Sequence, residues 1–131
     1  MTPQRASTDL VAELTAIAEA ILPGHQADTR IEQADIACGG PAGTNESKVY
    51  SKIGTFIRDP GLDASPPEVM RTARQTLTKH GWRIIGEETI EGNPQLRFDN
   101  EEGAGGRLSY GPKEKSILID AHTACLDNPE G

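Results

Sequence analysis

The chain has 131 residues, which fits a single domain at roughly 100 to 200 residues per domain. Hydrophobic residues make up 35% and charged residues 25%, and with only one Trp, two Tyr and two Phe the core must be built mainly from Ile, Leu, Val and Ala, which excludes a large aromatic-lined cavity. Thirteen Lys and Arg against 20 Asp and Glu give a net charge of -7, a field that repels a phosphate backbone and anionic lipid, so nucleic acid and the bare membrane surface are excluded as default partners.

Taken in chain order, Leu10, Leu14, Ile17 and Ile21 recur at helical spacing, with Val11, Ala18 and Leu22 widening the stripe, and predict an amphipathic helix over 10–22. Ser7, Thr8 and Asp9 are its candidate N-caps and Pro23-Gly24 its stop. From Arg30 to Cys38 the pattern is that of a strand, with Ala34, Ile36 and Cys38 on one face and Ile31 out of step, which predicts a bulge or a late start. Gly39 to Ser47 reads as a loop. Val49 to Arg58 mixes signals, since Val49, Ile53, Phe56 and Ile57 fit helical spacing while their β-branched and aromatic character favours a strand, and strand is slightly ahead.

Ser65-Pro66-Pro67-Glu68 is a capping box with proline at the first helical position, so a helix is expected to begin there. Val69, Met70, Ala73 and Leu77 form its apolar stripe, and Gly81 after His80 supplies a residue free to adopt the left-handed C′ conformation. After Gly81 the period changes to two in four runs, 82–87, 95–99, 107–110 and 116–121, separated by short breaks rich in Gly, Pro and Asn. These runs predict an antiparallel meander. A sheet with one apolar face needs cover, so the expected fold is α+β: a two-layer sandwich of four to six antiparallel strands covered on one face by two helices, forming one domain over 1–131 with frayed ends at 1–8 and 127–131.

The chain carries no recognisable catalytic motif. His122 and Cys125, with Cys38 and either His25 or His80, could supply zinc ligands, but the histidines share no close spacing and positions 122 and 125 point apart on a strand. Gly39 to Thr44 resembles a phosphate loop only in glycine content, lacking the lysine and the helix start. Asp99 to Glu102 lacks the alternating oxygen spacing of a calcium loop and reads as solvated turn charge. No Gly-x-Ser-x-Gly is present, and the adjacent carboxylates Glu87-Glu88 and Glu101-Glu102 face apart on strands and cannot share a proton. Trp82, just past a helix stop, is expected to plug the seam between helix and sheet.

No apolar run reaches the roughly 18 residues of a membrane span, and the first 25 residues lack the basic start and continuous apolar stretch of a secretory signal, which leaves a cytosolic start or the mature part of an exported protein. Cys38 and Cys125 each follow a strand-like segment in a turn-rich setting. They can form a bridge between two strand ends, remain two free buried thiols, or serve a metal or redox role.

The order of these features resembles the mature domain of actinobacterial envelope lipoproteins of the LppA-like kind. The features that carry the resemblance are the helix ending in Ile21-Leu22-Pro23-Gly24, a strand running into Cys38, a second helix closing with Lys79-His80-Gly81, a hairpin, the Gly-rich approach to Gly106-Arg107-Leu108, and a last strand delivering Thr123-Ala124-Cys125-Leu126. The match runs over roughly 10–126, and the chain departs from the family in having no lipobox cysteine near its start. The resemblance implies export, a Cys38–Cys125 disulfide and a lipid anchor upstream, and it carries no activity. The expected function is therefore a non-enzymatic, secreted or envelope-anchored monomer without cofactor or metal. It would bind a protein or envelope component through its sheet face or through the loop containing Gly39, Gly40, Thr44 and Asn45, and would meet the membrane only through the anchor. The rival of a different class is a small acidic immunity or inhibitor protein that neutralises a basic toxin or enzyme, steered by the charge of -7.

Overall fold

The computed structural model describes residues 1–130. Helix α1 spans Pro3–Ile21, followed by strands β1 Asp28–Gly39 and β2 Asn45–Arg58, helix α2 Pro66–Lys79, and strands β3 Arg83–Ile90, β4 Asn93–Asp99, β5 Gly105–Gly111, β6 Ser116–His122 and the two-residue β7 Leu126–Asp127. All pairings are antiparallel, in the order β1-β2-β6-β5-β4-β3, with β7 on β2. The sheet is open, and both helices pack on one face, so the chain has the expected α+β architecture with six strands and a short seventh.

Helix α1 starts well before the predicted residue 10. Thr2 is its N-cap, accepting from the Arg5 backbone N–H at 3.1 Å, and Pro3 takes the first turn. Residues 3–9 carry little apolar signal, so periodicity missed them and the Thr2-Pro3 cap was the signal to read. Residues 3–8 are thus helical rather than frayed, and Pro3 and Ser7 are buried. The predicted stripe of Leu10, Leu14, Ile17 and Ile21 is buried as expected.

Helix α2 follows its local code. Ser65 Oγ accepts from the Glu68 N–H at 3.4 Å and donates to the Glu68 carboxylate at 3.0 Å. At the other end Gly81 sits at φ 89°, Trp82 N–H donates to the Leu77 carbonyl and Gly81 N–H to the Thr78 carbonyl, which is a Schellman closure. That closure delivers Trp82 into the seam, where it is buried, meets Phe98 edge to face at 5.1 Å, and donates from Nε1 to Glu13 Oε1 at 3.1 Å.

The ambiguous Val49–Arg58 segment is strand throughout, because it lies between β1 and β6 and donates to both ladders. β1 does not alternate as expected. Register shifts at Ile31/Gln33 and Gln33/Ile36, with Asp35 at φ 55°, insert extra residues, leaving Ala34 exposed and Ile36 and Cys38 half-buried. The expected loop at 39–47 shrinks to 40–44, since Gly39 and Asn45 are ladder partners and Gly43 N–H closes a turn on the Gly40 carbonyl. Between β3 and β4, Glu91 and Gly92 both have positive φ, 53° and 83°, which makes a tight hairpin turn whose twist matches the strands. Of the tail 127–131, Asp127 pairs with Lys48 in β7, and Gly131 lies outside the described residues.

The core lies between the helices and the inward side chains of the sheet: Ile53 and Ile57 of β2, Leu96 and Phe98 of β4, Leu108 and Tyr110 of β5, Ile117, Ile119 and Ala121 of β6. No helix is long and apolar enough to cross a membrane.

Candidate functional site

Covering one face of the sheet leaves the other to solvent, and the registers specify what it presents. One cross-strand row runs Phe56, Leu118, Ser109, Gln95, and the next runs Gly54, Asp120, Arg107, Arg97, Gly86. Phe56 and Leu118 are direct partners, and each leaves more than two fifths of its surface exposed, at 42% and 43%. Ile85, pushed out by the β3 register shift after Ile84, is 53% exposed. Leu118 is apolar between the inward Ile117 and Ile119, so at this point β6 presents an apolar side chain on each face.

The charged row is ordered by sign. The Glu32 side chain lies over Gly54, where a Cβ would sit 2.6 Å from Oε1, and Asp120 follows on β6. Arg107 and Arg97 come next and are direct partners, an arrangement that like charges normally disfavour. Of the other cations on this face, Arg30 forks onto Asp28 at 3.2 and 2.9 Å, Arg83 Nε donates to Asp99 at 2.9 Å and Arg58 Nε to the Glu114 carbonyl at 3.1 Å, whereas Lys52 has no ion pair among the described residues. Among the described residues neither Arg97 nor Arg107 has a salt-bridge partner. Arg97 leans away over Gly86, where a Cβ would meet its guanidinium at 2.6 Å. Both arginines line a shallow concavity of about 420 Å³ together with Ile85, Asp99, Asp120 and His122, beside Gly105 and Gly106. No side chain fits at Gly106, because a Cβ there would lie 2.4 Å from the Asp120 carbonyl. His122 Nδ1 stands 3.1 Å from the Thr123 carbonyl, which can only accept, so in this contact that nitrogen donates.

A second concavity, about 700 Å³, lies where α1 meets the end of α2, the 100–104 turn and residues 123–126. Asp9, Glu13, Glu101 and Glu102 rim it over Leu10, Trp82 and Ala104. Glu13 Oε1, which accepts from Trp82, is also 3.8 Å from His80 Nδ1, so this carboxylate ties α1 to the end of α2. The 100–104 turn is held by Asn100, whose Oδ1 accepts from the N–H groups of Glu102 and Ala104, and the exposed Glu101 and Glu102 are solvated turn charge.

Cys38 and Cys125 are joined in a disulfide with Cα atoms 6.1 Å apart. Ala37 and Leu126 pair with Val49 from opposite sides, so the bridge straps across β2. With the two sulfurs bonded to each other, the thiolates of the zinc reading are absent, and among the described residues no cluster of three His, Cys, Asp or Glu is arranged to hold a metal. His122 is half-buried against the edge of Tyr50 at 6.1 Å, His25 is 3.2 Å from Asp59, and His80 is at the α2 end.

Of the residues expected to contact a partner, Gly40 and Thr44 are in the exposed turn, whereas Gly39 is buried in β1 and Asn45, exposed, opens β2 with its Oδ1 accepting from Ser47 N–H at 2.7 Å. None of the four lines either concavity. Nothing local in the sequence groups Phe56, Leu118, Arg97 and Arg107. One signal was available: the unbroken apolar run Ile117-Leu118-Ile119 obliges one side chain to face outward.

No protein-family model and no curated protein matches the chain. Among solved structures, the chain is similar to the crystal structure described as that of "the putative lipoprotein LppA from Mycobacterium tuberculosis", with a TM-score of 0.57 and 14% identity over 99% of this chain and 80% of that one. At that identity the likeness shows a shared fold.

Proposed function

We propose that this chain is a non-enzymatic domain of the cell envelope, exported and held there by lipid in its native form, that binds a protein partner across the uncovered face of its sheet. The observation that carries the reading is the outward Phe56–Leu118 pair, two large apolar side chains in contact register on a face with no helix over it. The envelope location is supported by the fold shared with a protein described as a lipoprotein, and by a disulfide, a bond that persists in oxidising compartments. Among the described residues, the side chains lining either concavity form no assembly of nucleophile, base and orienting group, which supports a binding role.

The test is photo-crosslinking in the cell of origin, with a benzophenone side chain placed at Leu118 or, as control, at Arg71 on the exposed side of α2. A discrete protein adduct in the envelope fraction from position 118 and none from 71 is expected. Identical patterns from both positions, or recovery of the chain in the cytosol, would overturn the proposal. A second reading, the acidic inhibitor, is favoured by the net charge of -7 and by the carboxylates rimming the larger concavity. It predicts an adduct from a probe at Glu102 and none from 118.

A further inference from the structure

We propose that the concavity between Arg97 and Arg107 is a carboxylate receptor within the uncovered face, and that it takes an acidic side chain of a partner peptide whose next outward residue, two positions along, is apolar. The inference rests on the reading of that face as a partner surface and names the chemistry that would recognise it. Two arginines are direct cross-strand partners on β4 and β5, neither has a salt bridge among the described residues, and Arg97 leans away from Arg107 over Gly86. Such a pair is unfavourable by itself; Asp120 flanks Arg107 on its far side only, and an anion between the guanidiniums supplies counter-charge to both through charge-assisted, forked hydrogen bonds. Gly105, on the same face beside the two arginines, adds no side chain to the lining, and Gly86 leaves room for the Arg97 guanidinium.

Charge decides which anion. Asp120 faces Arg107 across β5 and β6 and shares the lining, as does Asp99, which is matched by Arg83. Counting Arg83 with the Asp99 it neutralises, the arginines around the concavity exceed its carboxylates by about one charge, which suits a monoanion and disfavours a phosphate dianion beside Asp120. Position decides what accompanies it. Along β5, Ser109 is two residues from Arg107, about 7 Å, and its partner on β6 is Leu118, beside Phe56. An extended peptide that sets a carboxylate over Arg107 places its side chain two residues along at the same spacing, on the same face, over Ser109 and beside Leu118, the nearer member of the apolar pair.

The experiment is a titration of the 15N-labelled full chain, followed at the Gly105 and Gly106 amides and the Arg97 and Arg107 Nε–H signals. The probes are an acetylated and amidated Gly-Gly-Glu-Gly-Leu-Gly peptide, its Gln-for-Glu counterpart, and inorganic phosphate. Saturable shifts with the Glu peptide are expected, weakened about tenfold with the Gln peptide and about tenfold in Arg97→Gln/Arg107→Gln protein, the loss appropriate to a charge-assisted hydrogen bond. The doubly substituted chain must retain the dispersed spectrum of the parent. If its spectrum collapses, the single Arg107→Gln variant serves, with a weakening of at least threefold expected. Equal shifts from the Glu and Gln peptides, no saturation, or phosphate saturating the same signals at lower concentration would each overturn the carboxylate assignment. The two readings fail separately. An adduct from position 118 that is undiminished in the Arg97→Gln/Arg107→Gln chain keeps the partner surface and removes the receptor, whereas saturable Glu-peptide binding with no adduct at 118 keeps the receptor and removes the apolar docking site.

Discussion

Replacing both cysteines, Cys38→Ser with Cys125→Ser, isolates what the bridge contributes. It joins residues 87 apart in sequence, and the loop-closure relation puts the entropy it removes from the unfolded chain at about 4.6 kcal/mol at 25 °C. Little folded-state packing offsets or adds to that figure, because Cys125 is exposed and Cys38 half-buried. β2 remains paired to β1, β6 and β7 without the bridge, so the fold itself should persist. A loss of about 3 to 5 kcal/mol is therefore expected, equivalent to a melting temperature lower by about 10 to 18 °C for a chain of 131 residues. The assay is urea unfolding followed by Trp82 fluorescence, comparing the oxidised parent with the double variant. The midpoint should fall, and the slope should rise as the released unfolded chain exposes more surface. A difference below about 1 kcal/mol, with the parent shown by alkylation to contain no free thiol, would refute the loop-entropy account of this bridge.

Three further outcomes follow from particular residues. Gly81→Ala should cost about 1 to 2 kcal/mol in the same unfolding assay: no atom lies within 4 Å of the added Cβ, so the whole effect is the left-handed conformation at φ 89°. Gly106→Ala meets the Asp120 carbonyl at 2.4 Å and must open the β5–β6 ladder, so it should lose more than about 3 kcal/mol and broaden amide signals along β5 and β6. Tyr110 is 2% exposed, and burial, followed by the charge of Asp59, pushes its hydroxyl up from the ordinary value near 10. Its folded-state pKa is the higher one, so above about pH 10 the unfolded chain binds fewer protons than the native one, and stability present below that pH is lost as pH rises through the folded value. Tyr110→Phe should flatten that part of the alkaline stability profile, and an unchanged slope between pH 10 and 11 would count against this assignment.

Local chemistry alone determines a good part of this protein. The Ser65 to Glu68 cap and the Gly81 stop define α2 because each is satisfied by hydrogen bonds spanning only a few residues. The alternating runs after Gly81 define the meander, and the stripe from Leu10 to Ile21 names the buried face of α1, because burial on one side of a helix or strand imprints a period on the sequence. Thr2-Pro3 shows that the same local code was legible at the start of α1, where it is spelled by a cap without an apolar stripe. Tertiary structure decided the rest. Val49–Arg58 became a strand because two ladders claim it, and Cys38 and Cys125 meet because β1 and β7 flank β2 at Val49. Arg97 and Arg107, ten positions apart, face one another only through the β4–β5 register, and Phe56 and Leu118 only through that of β2 and β6. Register is a long-range quantity, settled when the whole apolar face closes on the helices, so which outward residues become neighbours is written in the packing of the opposite face.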